Sequence, residues 1–116
     1  MKSDGTATRS LCYLTDATDA FLRILHDGEA GQAYNMCNNH GHISVKDLAQ
    51  TLVSLYPDRK LEVIMQNRDA DSVYMESPVK CVTEFNTNKL EALGWTPKYD
   101  IAAGFRRTLD SFFCKM

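Results

Sequence analysis

Residues 44–57, SVKDLAQTLVSLYP, constrain the fold more than any other stretch. Val45, Leu48, Ala49, Leu52, Val53 and Tyr56 recur at helical spacing and form one apolar stripe. Ser44 and Asp47 stand at the spacing of a capping box, with the shorter Asp in place of Glu. Pro57 stops the helix. A helix with one apolar stripe must lie on a second apolar surface, which the rest of the chain has to supply.

That remainder alternates helical and extended patterns. TDATDAFLRIL carries Ala17, Ala20, Phe21, Ile24 and Leu25 on one helical face, with Thr15 or Asp16 as its cap and Gly28 and Gly31 after its end. QAYNMC reads as a short buried strand, and KLEVIM alternates Leu61, Val63 and Met65 with Glu62. QNRDADSVYMESP is polar and reads as a loop, and VKCVTEF alternates again as a further strand. NTNKLEALGW reads as a short helix capped by Asn86 or Thr87, with Gly94 at a left-handed position after its end. In DIAAGFRRTLDSFF, Ile101, Phe105, Leu109 and Phe112 share a face. The pattern predicts a small mixed α/β domain of about four helices and a few short strands, with residues 1–116 forming a single domain.

Composition excludes several function classes. A net charge of −2 argues against a nucleic-acid binder that works by displacing counterions. No apolar run is long enough to span a bilayer, and MKSDGTATRS is too polar for a targeting segment. The four cysteines, Cys12, Cys37, Cys81 and Cys114, are scattered with no C-x-x-C pair. That usage predicts reduced thiols and a cytoplasmic location.

Cofactor and catalytic signatures are missing as well. No G-x-G-x-x-G, P-loop, G-x-S-x-G or H-E-x-x-H pattern occurs. Tyr56 and Lys60 have Y-x-x-x-K spacing, but Pro57 separates them and prevents a shared helical face. The stretch YNMCNNHGHIS offers Cys37, His40 and His42, but a closed zinc site takes four ligands and no second cluster supplies the remainder. No metal site and no catalytic residue are therefore expected.

Three blocks carry a family resemblance. NTNKLEALGWTPKYDIAAGFRRTLDSF has L-G-W-x-P followed by a helix with G-[hydrophobic]-R-x-T, matched by Leu93, Gly94, Trp95, Pro97, Gly104, Phe105, Arg106 and Thr108. DGTATRSLCYLTDATDAFLRIL matches G-x-x-x-R-x-[FW]-x-Y-V-x-D through Gly5, Arg9, Tyr13 and Asp16, with Leu11 at the aromatic position. GQAYNMCNNHGHISVKDLAQTL matches G-x-x-Y-N-[IL]-G and then [ST]-[IV]-x-[ED]-L-A, with Cys37 replacing the glycine. Together they resemble the last third of extended short-chain dehydrogenases/reductases, the NAD-dependent nucleotide-sugar epimerases and dehydratases.

The resemblance implies the C-terminal substrate-binding lobe of such an enzyme, without its Rossmann half and catalytic Tyr-x-x-x-Lys. The parent would hold NAD and run redox chemistry at the sugar C4, while this portion would bind no cofactor and be inactive alone. Its implied partners are a nucleotide diphosphate sugar (UDP or dTDP) and the missing Rossmann half. Arg9 is the implied contact to the nucleotide or pyrophosphate, where a planar guanidinium suits phosphate oxygens. Asn35 is the implied amide facing the nucleotide, the alternative being a purely structural tie to a neighbouring loop. The family's R-P-G-D arginine is absent from YMESPVKC, leaving Lys80 and Arg68 as substitutes or as solvated loop charges. Trp95 and Phe105 match the family but fit core roles. Arg106 and Arg107 read as a solvated helix face. The alternative function is a stand-alone interaction module, whose exposed docking face would invite self-association.

Overall fold

The computed structural model of the protein describes residues 5–66 and 85–113. They hold strand β1 (Thr8–Ser10), helix α1 (Leu14–Asp27), strand β2 (His42–Ser44) and helix α2 (Val45–Leu55). A single 3-10 turn follows at Pro57–Arg59, then helices α3 (Asn88–Ala92) and α4 (Ile101–Phe113). The two strands pair in one two-stranded sheet, so the described residues form a small mixed α/β fold.

The chain divides into two compact units, Met1–Arg9 with Ile43–Cys81, and Ser10–His42 with Val82–Met116. In the first, α2 begins where the sequence places it. The Ser44 hydroxyl accepts from the Asp47 N–H at 3.0 Å and donates to the Asp47 carboxylate at 2.6 Å. The Asp side chain thus closes the box on the hydroxyl. Backbone bonds from Val45 to Ala7 (2.9 Å) and from Lys46 to Gly5 (3.0 Å) fasten the helix start to the segment that leads into β1. The helix ends at Leu55, ahead of Pro57, and Lys60 sits in a left-handed conformation at φ 48°. Tyr56 and Lys60 therefore share no helix.

The second unit is built around Ala20, Leu90 and Trp95, against which Ile24, Tyr34, Met36 and Leu93 pack. α3 ends in a Schellman motif. The Gly94 N–H donates to the Glu91 carbonyl at 2.8 Å and the Trp95 N–H to the Leu90 carbonyl at 3.4 Å. Gly94 takes φ 82°, where a side chain would strain the backbone. The same turn folds Trp95 back onto Leu90. The Arg23 guanidinium, paired with Asp19 at 3.0 Å, donates to the Leu93 carbonyl at 3.1 Å. At the start of α4, the Asp100 carboxylate accepts from the Ala103 N–H at 2.7 Å.

Several expectations need correction. Neither Thr15 nor Asp16 caps α1. The N-cap is Tyr13, without a side-chain cap bond. Asp16 is buried in the first turn, and one carboxylate oxygen accepts from the Lys98 and Tyr99 N–H groups at 3.0 Å each. The N-cap of α3 is Thr87, without a side-chain cap bond; its hydroxyl donates to Glu91, and the Asn86 amide oxygen just ahead accepts from the Asn88 N–H at 3.0 Å. QAYNMC and KLEVIM form no strand, because a strand needs a ladder and none of the described residues offers them one. The pairing of β1 with β2 was not foreseen, since three residues are too few to show alternation. Phe21, Leu25 and Phe112 belong to the apolar helical faces read from the sequence, yet they are exposed. α3 is only five residues long and covers a narrow strip of α1, so Ala20 is buried while Phe21 is not. VKCVTEF up to residue 84, and the polar stretch after Gln66, lie outside the described residues.

Candidate functional site

The candidates from sequence fall in different places. Arg9 is the middle residue of β1, exposed, with its guanidinium donating to the neighbouring Thr8 carbonyl at 2.7 Å. That is a local bond to the preceding residue, which leaves the side chain at the surface. Asn35 belongs to the second unit, is exposed, and donates its amide to the Asn86 carbonyl at 3.0 Å. Arg68 and Lys80 lie outside the described residues. Arg106 and Arg107 are exposed, as expected for a helix face.

Three asparagines in YNMCNNHGHIS act as amide ties within the second unit. Asn39 donates to the Phe85 carbonyl at 3.0 Å and accepts the Phe85 N–H at 3.1 Å, the pattern of one rung of a strand pair. Asn35 holds the next residue, Asn86, through its carbonyl. Asn38 is buried; its oxygen accepts the His40 N–H at 3.0 Å and its nitrogen donates to the Tyr99 carbonyl at 3.4 Å. Side-chain amides do here what backbone amides do in a ladder, for which each carries both a donor and an acceptor. The signal was the density of asparagine in a segment otherwise patterned as a strand.

His42 takes no metal-ligand partner; its ring nitrogen Nδ1 lies 3.4 Å from the Ser10 hydroxyl. Among the described residues no three His, Cys, Asp or Glu side chains are placed to hold a metal ion. Cys12 and Cys37 are free thiols. Burial, then the Asp16 carboxylate and Cys37, push the Cys12 thiol upward in pKa, so it stays protonated and weakly nucleophilic near neutrality.

Sequence reasoning missed a cavity of about 330 Å³ in the second unit, lined chiefly by Leu11, Leu14, Ile101 and Phe105 with the rings of Tyr13 and Tyr99. Those rings meet at 4.8 Å between centroids, tilted by 48°. The Arg107 guanidinium donates to the Tyr99 hydroxyl at 2.7 Å. The lining suits apolar groups.

A nicotinamide cofactor does not fit the described residues. Its pyrophosphate needs a glycine-rich strand-to-helix turn and an uncommitted helix N-terminus. Carboxylates already occupy the starts of α2 (Asp47) and α4 (Asp100), and Cys12 and Tyr13, not glycines, precede α1. No helix among the described residues is long and apolar enough to cross a membrane.

Comparison with known proteins agrees with the fold and motifs. No family model matches the chain. The dTDP-D-glucose 4,6-dehydratase of Homo sapiens is 32% identical over 111 residues, covering 91% of this chain and 30% of that protein. The structure of RMD from Pseudomonas aeruginosa complexed with NADPH superposes with a TM-score of 0.69 at 24% identity, over 98% of this chain and 35% of that one. The dTDP-glucose 4,6-dehydratase from Bacillus anthracis in complex with NAD gives a TM-score of 0.67 at 22% identity, over 95% of this chain and 32% of that one.

The fold and the three motif blocks are those of a portion of an extended short-chain dehydrogenase/reductase, and the chain's homologues are members of that family, matched over only part of their length. Within it, the chain is homologous to nucleotide-sugar dehydratases and spans 30% of the length of the human relative.

Proposed function

We propose that the chain is the C-terminal nucleotide-sugar-binding lobe of an NAD-dependent epimerase or dehydratase acting on a UDP- or dTDP-sugar. The observation that carries this reading is the match of 91% of the chain to under a third of a dTDP-D-glucose 4,6-dehydratase. Arg9 supports it, as an exposed guanidinium at the family's nucleotide-contact position. Asn35 enters it through its amide oxygen alone, because its amide nitrogen is committed to the Asn86 carbonyl as a structural tie. Cofactor binding and proton transfer belong to the Rossmann half, which agrees with the poor fit of a pyrophosphate to this chain's helix starts. The lobe alone turns over no nucleotide sugar.

Titration with UDP and with dTDP, followed by amide NMR, tests the reading. Shifts at Arg9 and Asn35 are expected, and no shift at either with both nucleotides would overturn it. Turnover of a nucleotide sugar by this chain with added NAD would contradict the predicted inactivity. A second reading, a stand-alone interaction module derived from the lobe, draws on the exposed apolar side chains of α1. Coding DNA upstream with an in-frame glycine fingerprint and Tyr-x-x-x-Lys would decide for the first reading.

A further inference from the structure

The carbonyl that holds the Asn35 amide nitrogen belongs to Asn86, and Asn86 is itself held from two sides. On one side its amide oxygen accepts the Asn88 N–H at 3.0 Å, which ties residue 86 to the start of α3. That helix is rooted in the core through the buried Leu90. On the other side the Asn39 amide grips Phe85 twice, donating to its carbonyl at 3.0 Å and accepting its N–H at 3.1 Å. The Phe85 carbonyl and the Asn86 N–H share one peptide plane, so a grip on the first sets the direction in which residue 86 leaves. All of these residues belong to the second unit. Asn39 is half-buried with its amide turned to Phe85, whereas Asn35 is exposed.

We infer that Asn39 is the positioning residue for Asn35, an inference that rests on the proposed nucleotide-sugar binding. By fixing Phe85 and Asn86, Asn39 keeps the Asn35 amide nitrogen on the protein and leaves its oxygen for the nucleotide. Asn39 itself touches no ligand. The same geometry restricts what Asn35 reads. With its nitrogen committed to Asn86, Asn35 meets a ligand as an acceptor. An acceptor is repelled by the unprotonated oxygens of a pyrophosphate and takes a donor instead. The donors of a uridine or thymidine nucleotide are the imide N–H of the base and the sugar hydroxyls. Asn35 therefore reads the nucleoside, and the phosphates are left to a cation such as the exposed Arg9.

Titration of the 116-residue chain with UDP and with dTDP, followed by NMR, tests both parts. Asn39→Ala should weaken nucleotide binding by as much as Asn35→Ala, about fivefold or more, the worth of one ordinary hydrogen bond. The double variant Asn35→Ala/Asn39→Ala should bind no more weakly than either single variant, because both remove the same contact. Without ligand, Asn39→Ala should also speed exchange of the Asn35 side-chain amide protons. Asn38→Ala is the control for general loosening: it removes a tie of the same segment to Tyr99 and should leave nucleotide affinity as it is. The acceptor role is tested on the unaltered chain. Inorganic pyrophosphate should leave the Asn35 side-chain amide signals in place, and uridine or thymidine should shift them. Cytidine has the ribose without the imide N–H. A shift with uridine alone assigns the base as donor, and a shift with both assigns the ribose. Four results would each overturn the inference while the lobe still binds nucleotide: wild-type affinity in Asn39→Ala, additive losses in the double variant, an equal loss in Asn38→Ala, or Asn35 signals moved by pyrophosphate and not by the nucleosides. A chain that binds neither UDP nor dTDP overturns the inference together with the nucleotide-sugar binding on which it rests.

Discussion

The indole N–H of Trp95 donates to the backbone carbonyl of Asp16 at 2.9 Å, joining residues 79 apart in sequence. The Trp95 ring is buried among Leu90 and Ala20, so one side chain serves as both core and clasp. Trp95→Ala is expected to cost about 3–5 kcal/mol, the range for removing a buried aromatic. Trp95→Phe keeps most of the apolar contact and loses the bond, so it should cost less. Urea denaturation of the two variants separates the contributions, and equal losses would show that the hydrogen bond dominates.

Asp16 also binds through its side chain, where one oxygen accepts two backbone N–H groups. Asp16→Ala leaves the Lys98 and Tyr99 donors without that acceptor, at about 1–3 kcal/mol for each donor left buried. Asp16→Asn keeps an acceptor oxygen and should lose less. Hydrogen exchange at the Lys98 and Tyr99 amides gives the local readout; both should speed up in the alanine variant, and unchanged protection would contradict the assigned bonds.

Cys12 predicts a pH dependence. Burial, Asp16 and Cys37 raise its pKa in the folded chain above the ordinary 9.0. As pH rises past 9.0 the unfolded chain ionises first, and ionisation favours unfolding. The stabilisation is therefore complete below pH 9.0 and is lost as pH climbs through the folded value. Denaturation midpoints should fall from about pH 8 to about pH 10 in the wild type, and fall less in Cys12→Ala. Alkylation of Cys12 in the folded chain should be slow at neutral pH and become fast once the chain is unfolded.

Arg9 separates ligand binding from stability. Its observed bond reaches only the adjacent residue, and it is exposed. Arg9→Ala should leave the melting temperature unchanged and abolish the nucleotide-induced NMR shifts. Asn35→Ala should also lose the shifts, but with a loss of about 1 kcal/mol of stability with the bond to Asn86. A variant Arg9→Ala that still binds nucleotide with wild-type affinity would remove Arg9 from the site.

Helices were legible in the sequence because their determinants are local. The stripe of α2, the Ser44–Asp47 box, Pro57 and the Gly94 turn each act within a few residues and are where the sequence places them. The strand patterns of QAYNMC and KLEVIM did not become strands, because a strand depends on a partner that can lie anywhere in the chain. QAYNMC carries a strand's pattern, yet it and the residues just after it are held by amide ties from Asn35 and Asn39 instead of a ladder. The two roles of Asp16 were equally hidden, as both depend on residues some 80 positions away. Arg9 and Asn35 rest on the motifs alone, and nothing local marked the cavity formed where Tyr13 and Tyr99 come together.

The clasp on Asp16 also sets the order in which the chain matures. Its acceptors are made early and its donors, from Trp95, Lys98 and Tyr99, are made 79 to 83 residues later. At about 5–20 residues per second, roughly 4–17 s of synthesis separate the two halves of the contact. For most of that interval α1 has neither Trp95 nor Leu90 to cover Ala20. The nascent second unit therefore spends its first seconds as an incomplete core awaiting its own later residues, and it is in that window that chaperones would find it.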